Sequence, residues 1–577
     1  MKNRKSKSLT TKTKPRLFYN PIIHILLVVT FSLIAYSNTF HVPFQFDDLR
    51  EILGNHIVKN LKYFINLSTH STRYIGYFTF ALNYALHGTN VAGYHIFNFA
   101  IHIANALLLY WLIVLSFRTP VLKESSLKDS SKLIALFSAL FFACHPVQTQ
   151  AVTYIVQRLA SLATLFYLFS IISYSKARLS LQEVQSKTKS LLWFILSFCS
   201  AVLAMKTKEI SFTLPVVIIL YEFVFFKAKF KRRILYISTL LLTMLIIPLS
   251  LIGISKPLGD IIGDVSEVTR LHTNISRWDY LFTQFRVINT YIRLIFLPIN
   301  QNLIYDYPIY HSFFDLRVFL SFLFLLSILI LGIYLFYRYR KTAPHTAIIS
   351  FGIFWFFITL SVESSIIPIS DVIYEHRIYL PSIGFFIAFV TFIIGIRNRL
   401  KTVMPVIGRT IIPMLIVIAI ILSGRTIHRN TIWKDEMTLW SDVVKKSPNK
   451  AGPRNNLGIA YDKKGLVDKA IEQYQMALKL NPGFAEAYVN LGIAYESLGS
   501  VDKAIEHFQT AIELKPESAK AHNNLGIAYK KTGLIDKAIE HFQMAVKLNP
   551  NNSLFLNNLA KAYEMKNKAD KSKRNSK

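Results

Sequence analysis

The sequence predicts an all-α protein in two parts: a polytopic membrane region of about 11 transmembrane helices, followed by a solenoid of helix pairs. Three observations predict it. Apolar runs long enough to cross a bilayer, roughly 20 residues each, recur through the first three quarters of the 577-residue chain. Lysine and arginine gather in alternate loops between those runs, as membrane topology requires. From residue 451 onward, Asn-Leu-Gly and Pro recur every 34 residues, the length of a helix-pair repeat.

Composition supports the first part and narrows the function. Hydrophobic residues make up 52% of the chain, and the formal charge is +33. In a soluble protein such an excess suggests nucleic acid. Here it sits in both tails and in short loops between apolar runs, while 451–565 is nearly balanced, so no nucleic-acid partner is expected. The two cysteines, Cys144 and Cys199, lie in or beside predicted spans and match no disulfide or metal spacing.

Taken in order, the lysine-rich tail 1–20 reads as cytoplasmic. The first apolar run, 21–40, lacks a small-residue cleavage site and reads as a retained anchor. It opens into a first outer loop, 41–93, which begins with Phe44-Gln45-Phe46-Asp47-Asp48. Adjacent carboxylates beside a membrane are costly near hydrocarbon, which makes a function worth testing. Asp48-Leu49-Arg50-Glu51 has the form of a capping box, so Asp48 can start a short helix and leave Asp47 free.

Further spans are predicted near 94–117, 132–149, 151–174, 190–205, 210–226, 234–253, 313–337, 346–362, 378–396 and 411–427. The stretch 280–298 is apolar too, but Arg286 and Arg293 favour a helix lying at the interface. The basic loops run from Arg118, Lys123 and Lys128 through Lys176 and Arg178 to Arg397, Arg399, Lys401 and Arg409. The opposite face then receives the acidic loop, His145-Pro146, Lys206 to Glu209, 255–279, Tyr305-Asp306-Tyr307 and 363–377. An odd number of crossings puts everything after Arg425 on that side as well, the periplasmic side of a bacterial inner membrane.

The outer face thereby collects short polar clusters: Asp47-Asp48, Arg73 with Asn83, Tyr94-His95, Gln157-Arg158, Lys208-Glu209 and Glu375-His376-Arg377. Singly, each reads equally well as a span boundary, a snorkelling cation or a local ion pair, and Lys208-Glu209 can neutralise itself. Together, on one side, they predict a polar cavity at the outer membrane surface.

The C-terminal part comprises a connector, 428–450, with a helix near 439–446, then repeats 451–484, 485–518 and 519–552, a cap 553–565 and a basic tail 566–577. Leu491, Gly492, Tyr495, Ala504, Phe508, Ala511 and Pro516 fall where two packed helices need large, small and terminating residues, the tetratricopeptide pattern. Such solenoids present a groove to polypeptides. Asn456, Asn490, Asn524 and Asn558 recur on the first helix of each unit, where an amide can clasp a peptide backbone or only stabilise the repeat. The series resembles the asparagine ladder of the O-linked N-acetylglucosamine transferase, whose catalytic domain has no counterpart here.

Spans, an acidic pair after the first of them and helical repeats together resemble the transmembrane and tetratricopeptide-repeat O-mannosyltransferases and their bacterial relatives, within the GT-C glycosyltransferase superfamily. The residues that carry the likeness are Phe46-Asp47-Asp48, Thr79 to Tyr84, Gly93-Tyr94-His95, His145-Pro146-Val147, Gln157 to Leu162, Lys206 to Glu209 and Glu375 to Ser382. The resemblance implies transfer of a mannose-like sugar from a polyprenyl-phosphate carrier to a Ser or Thr hydroxyl of a polypeptide bound by the repeats. It makes Asp47 the candidate base, with Asp48 supporting it or sharing a divalent metal with it. Arg158, Lys208 and Arg377, with Glu209, Glu375 and His376, become the candidate donor phosphate and sugar contacts. The rival reading is a membrane-anchored repeat scaffold without catalysis. A transporter would instead show internal repeats and broken spans at mid-depth, and these are not found.

Overall fold

The computed structural model describes residues 20–64, 73–184, 186–252, 275–341, 343–369 and 371–575. The tail 1–19 and most of the 255–279 loop lie outside the described residues. Among those described there is no strand, and the chain separates into two compact units, residues 1–303 with 307–434, and 304–306 with 435–577.

In the first unit the longer helices are α1 (Pro21–Ala35), α2 (Tyr74–His87), α3 (Val91–Ser116), α4 (Ser131–Cys144), α5 (Arg158–Leu179), α6 (Lys187–Met205), α7 (Leu214–Phe225), α8 (Phe230–Leu242), α9 (Arg277–Phe296), α10 (Leu316–Lys341), α11 (Thr346–Leu360), α12 (Pro381–Val403) and α13 (Pro405–Thr431). Every predicted apolar run contains one of them. Among the described residues, seven stretches are long and apolar enough to cross a membrane. The pair Lys128–Cys144 and Pro146–Val152 makes eight if it is one span; it is bent by 53° where Pro146 cannot continue the preceding helix. α1, α7 and α11 are shorter, at 15, 12 and 15 residues. The apolar stretch that carries Arg286 and Arg293 is helical, as α9.

Burial sorts these helices into centre and rim. In the Ile155–Gln182 span 78% of the apolar window is buried, against 22% in Leu316–Arg340, so α5 forms the centre and α10 faces outward. Gly352 of α11 and Gly384 of α12 are buried because the two helix backbones touch there; a Cβ on either would collide with the other's carbonyl. One basic residue read as a loop cation is nothing of the kind. Arg178 is buried and holds Glu222 through Nε at 2.8 Å and Nη2 at 2.9 Å, with Tyr174 donating to the same carboxylate at 3.0 Å.

The second unit begins with α14 (Glu436–Lys446), capped by Asp435, whose Oδ1 accepts the Thr438 N–H at 2.8 Å. Three helix pairs follow: α15 (Ala451–Asp462) with α16 (Val467–Leu480), α17 (Ala485–Ser497) with α18 (Val501–Leu514), and α19 (Ala519–Lys531) with α20 (Ile535–Leu548). Within each pair a glycine admits an aromatic ring: Gly458 meets Tyr474, Gly492 meets Phe508 and Gly526 meets Phe542. The turns place Gly465, Gly499 and Gly533 at φ of 73°, 78° and 80°, a region that only glycine enters freely. Successive repeats are stitched by Gln475, Gln509 and Gln543, which donate to the hydroxyls of Tyr495, Tyr529 and Tyr563. The cap does not stop at residue 565. α21 (Ser553–Asn575) continues through the basic tail.

Candidate functional site

The acidic loop owes its shape to one strained residue. Phe46 has φ 52°, a conformation costly for a bulky side chain. The turn sends the two aspartates to different surroundings. Asp48 is 1% exposed, and its oxygens accept the Gln45 N–H at 3.2 Å and the Val156 N–H at 2.7 Å. It therefore satisfies a free amide at the start of the α5 segment. The predicted capping box is not formed, because Leu49–Leu53 is a single wide turn without a side-chain cap. Burial pushes the Asp48 carboxyl up to about 8 despite these backbone donors.

Asp47 faces outward, its side chain 33% exposed. Tyr154 Oη donates to Asp47 Oδ2 at 2.8 Å and accepts the Asp47 N–H at 3.1 Å, while Arg50 stands 3.7 Å from Oδ1. Partial burial raises the Asp47 carboxyl above its ordinary value, and the Tyr154 hydroxyl and Arg50 offset this only in part. The loop is anchored from α3, where His95 Nε2 donates to the Val42 carbonyl at 2.8 Å.

Arg158 is committed elsewhere. It is fully buried, donating from Nε to Asn98 Oδ1 at 2.5 Å, from Nη1 to Thr79 O at 3.2 Å and from Nη2 to Tyr94 O at 3.2 Å. Phe80 and Phe97 cover its guanidinium at 4.5 and 4.6 Å. It ties α2, α3 and α5 together behind the acidic loop, which makes it a framework cation before it is a phosphate ligand.

Lys208 and Glu209, which could have neutralised each other, take different partners. Lys208 is in extended backbone, φ −158° and ψ 147°, so neighbouring side chains diverge. Lys208 Nζ pairs with Glu363 Oε1 at 3.0 Å, off the hydrogen-bond axis, whereas Glu209 takes the Arg73 fork, Nε at 3.0 Å and Nη2 at 3.3 Å. Burial alone would raise Glu209, but Arg73 overrides it and holds the carboxyl below its usual value.

The third cluster completes the rim. Glu375 is buried and accepts Gln301 Nε2 and the Asn302 N–H, each at 2.7 Å, so it fixes the chain after α9. His376 lies against Gln150 Oε1 and stacks on Tyr374 at 5.1 Å; burial, reinforced by Lys208, Arg377 and Arg73, keeps it neutral, well below the usual histidine range. Arg377 donates to Asp371 O at 2.8 Å and Val372 O at 3.2 Å and lies under the Tyr374 ring. Tyr374 in turn donates to Asp371 Oδ2 at 2.7 Å.

These groups form one electrostatic neighbourhood. Asp371 raises Asp47, Asp47 raises Tyr374, and Lys208, Arg377 and Arg73 together act on His376. A second bridge runs from Arg50 to Glu51 at 2.8 Å and from Tyr77 Oη to Glu51 at 2.7 Å, with Tyr77 beside Arg73. Tyr154, Glu363, Asp371 and Tyr374 were not singled out by sequence reasoning, since no motif marks them; Arg73 was grouped with Asn83, but it pairs with Glu209 while Asn83 donates to the Gly93 carbonyl. Backbone amides engage both Asp48 oxygens, so it is the Asp47 carboxylate that faces outward. Among the described residues no group of three or more His, Cys, Asp or Glu stands at metal-binding spacing.

In the repeats, the asparagines pair. Asn490 Nδ2 donates to Asn455 Oδ1, and Asn558 Nδ2 to Asn523 Oδ1, each at 2.9 Å and buried. Asn490 Oδ1 also accepts Lys520 Nζ at 3.2 Å. Asn490 and Asn558 thus bond between repeats. Asn456 and Asn524 are only half-buried, and Asn524 Nδ2 has no hydrogen-bond partner.

Family models described as tetratricopeptide repeat match residues 519–552 and 541–574, and one described as TPR repeat matches 463–499 and 494–533. The chain is 27% identical to Protein O-mannosyl-transferase F38B6.6 of Caenorhabditis elegans, over 80% of this chain and 63% of that one. It is 26% identical to Protein O-mannosyl-transferase TMTC3 of Mus musculus, over 79% and 51%. It thus spans about half to three fifths of the length of these curated relatives. Among solved structures, that of the MamA protein is 31% identical over 24% of this chain and 75% of that one, with a TM-score of 0.22. The resemblance drawn from the acidic loop and the repeats is to this same set: membrane helices, tetratricopeptide repeats and relatives named as protein O-mannosyl-transferases.

Proposed function

We propose that the chain is a membrane glycosyltransferase that moves a mannose-like sugar from a polyprenyl-phosphate carrier to a Ser or Thr hydroxyl of a polypeptide, the repeats supplying the polypeptide-binding function. The observation that carries this reading is the placement of Asp47: a half-exposed carboxylate of raised proton affinity, held by Tyr154, in one neighbourhood with Lys208, Arg377 and Arg73. An acceptor hydroxyl is a poor nucleophile at neutral pH. As its oxygen bonds to the anomeric carbon, its proton passes to Asp47, and the bond from that carbon to the phosphate oxygen breaks with its electron pair leaving on the phosphate. A positioned base contributes about 10²- to 10⁴-fold. Lys208 and Arg377 are the cations that meet the departing phosphate, with Glu363 orienting Lys208, and Arg73 with Glu209 bracing the rim. Asp48 and Arg158 position the loop and touch no reactant. Asn456, half-buried, is the amide placed to contact an acceptor backbone, whereas Asn524 has a buried Nδ2 and gives its Oδ1 to Asn523.

A scaffold without catalysis has no use for a buried Lys208–Glu363 pair beside a strained aspartate loop, and such a pair is a weak source of stability. The test incubates membranes carrying the protein with a serine- and threonine-rich polypeptide and labelled mannose on either a polyprenyl phosphate or a nucleotide. Transfer from the lipid-linked donor alone is expected. Transfer from neither donor would refute the reading.

A further inference from the structure

A groove lies at the end of the membrane unit away from the acidic loop. α12 begins four residues after Arg377 and runs 17 residues from Pro381 to Arg397, about 25 Å of helix, most of the roughly 30 Å of a bilayer core. Beyond it, α12 and α13 turn back so tightly that a Cβ on Gly408 would stand 2.7 Å from the Lys401 backbone nitrogen. This brings Arg397 and Lys401 of α12 and Arg409 of α13 onto one rim. Below that rim a groove of about 450 Å³ runs between α1, α4 and α13, walled by apolar side chains such as Leu27, Phe137 and Ile416. None of its lining residues is a carboxylate.

Topology alone predicts basic residues at this face, so their presence is not the argument. Arg397 is the argument. It is only 8% exposed, and although Nη1 donates to Asn398 Oδ1 at 3.2 Å, its buried Nε has no hydrogen-bond partner. A snorkelling cation would carry its head into water; this one lines the groove with its Nε buried and unsatisfied, a desolvation cost that an anionic oxygen reaching it would remove. Apolar walls of pocket size, a three-cation rim and an unsatisfied buried guanidinium describe a ligand with an acyl chain and a phosphate.

We propose that this groove holds a diacyl anionic phospholipid of the leaflet opposite the acidic loop, with its phosphate on Arg397, Lys401 and Arg409 and one acyl chain along α1, α4 and α13. The site is separate from the sugar donor's and stands whether or not the glycosyltransferase reading does. The test is native mass spectrometry of the purified full-length protein with phosphatidylglycerol, phosphatidylcholine or undecaprenyl phosphate added. Phosphatidylglycerol is expected to be retained over phosphatidylcholine. Each cation removed, in Arg397→Gln or in the exposed Arg409→Gln, should weaken that retention about fivefold. Ile416→Trp, which fills the groove without changing charge, should lower it as well. Equal retention of both phospholipids, Arg409→Gln and Ile416→Trp without effect, or preferential retention of undecaprenyl phosphate at this rim would overturn the proposal.

Discussion

Removing the Asp48 carboxylate should loosen the acidic loop without abolishing the chemistry outright. Its two oxygens receive the Gln45 and Val156 amides, at 3.2 and 2.7 Å, in a place that water does not reach. Asp48→Ala leaves both donors unpaired, at about 1–3 kcal/mol each, or about 2–6 kcal/mol together. Asp48→Asn keeps one acceptor and turns an N–H₂ toward the other amide, so it should cost about 1–3 kcal/mol. The pH dependence follows from the same burial. The folded carboxyl is raised to about 8, so folding favours its protonated form: that stability is complete at acid pH and is lost as pH rises toward 8. Asn, neutral throughout, should flatten that slope. The assay is amide hydrogen exchange of peptides covering Gln45 and Val156 at several pH values, alongside transfer rates. Exchange in Asp48→Ala should rise by at least about tenfold. Unchanged exchange in Asp48→Ala, or an Asp48→Asn variant that folds normally yet transfers as poorly as one lacking Asp47, would refute the division of labour between the two aspartates.

The other predictions concern the rim, the base and the repeats. Arg73→Ala removes the partner of a Glu209 side chain that is 29% exposed, and because Arg73 is itself 43% exposed solvent screening should hold the destabilisation to about 1 kcal/mol, with Arg73→Met plus Glu209→Leu costing less, measured by thermal unfolding in detergent. Because Asp47 must be deprotonated to act and its carboxyl is raised, transfer should fall on acidification at a pH above that of an ordinary aspartate, about 3.9; a pH profile flat down to that value would count against it. Gly492→Ala drives a methyl to 2.5 Å from Phe508 and should destabilise the second repeat by about 1–3 kcal/mol, read from circular dichroism melting.

The sequence carried the helices and the repeat architecture well, since hydrophobic runs and a fixed 34-residue period are properties of the chain itself. Crossing number was harder: α1, α7 and α11 are apolar but short, and the bend at His145 divides one run, so composition overstates clean spans. Asp47 was legible because two carboxylates beside an apolar run are rare. Its partner Tyr154 was not, since the two meet only across 107 residues. The alternative that Lys208 and Glu209 neutralise each other was open in the sequence because they are adjacent, and extended backbone turns the two side chains apart. Arg158 stood out as a charge inside a span. Only packing reveals that its donors end on carbonyls and an amide and that aromatic rings sheathe it.

The central claim is that Asp47 removes the acceptor's proton. Single-turnover transfer from labelled polyprenyl-phosphate mannose, compared between the natural protein and Asp47→Asn at matched expression and folding, tests it most directly. The account predicts a loss of about 10²- to 10⁴-fold with donor binding retained. Equal rates would contradict it.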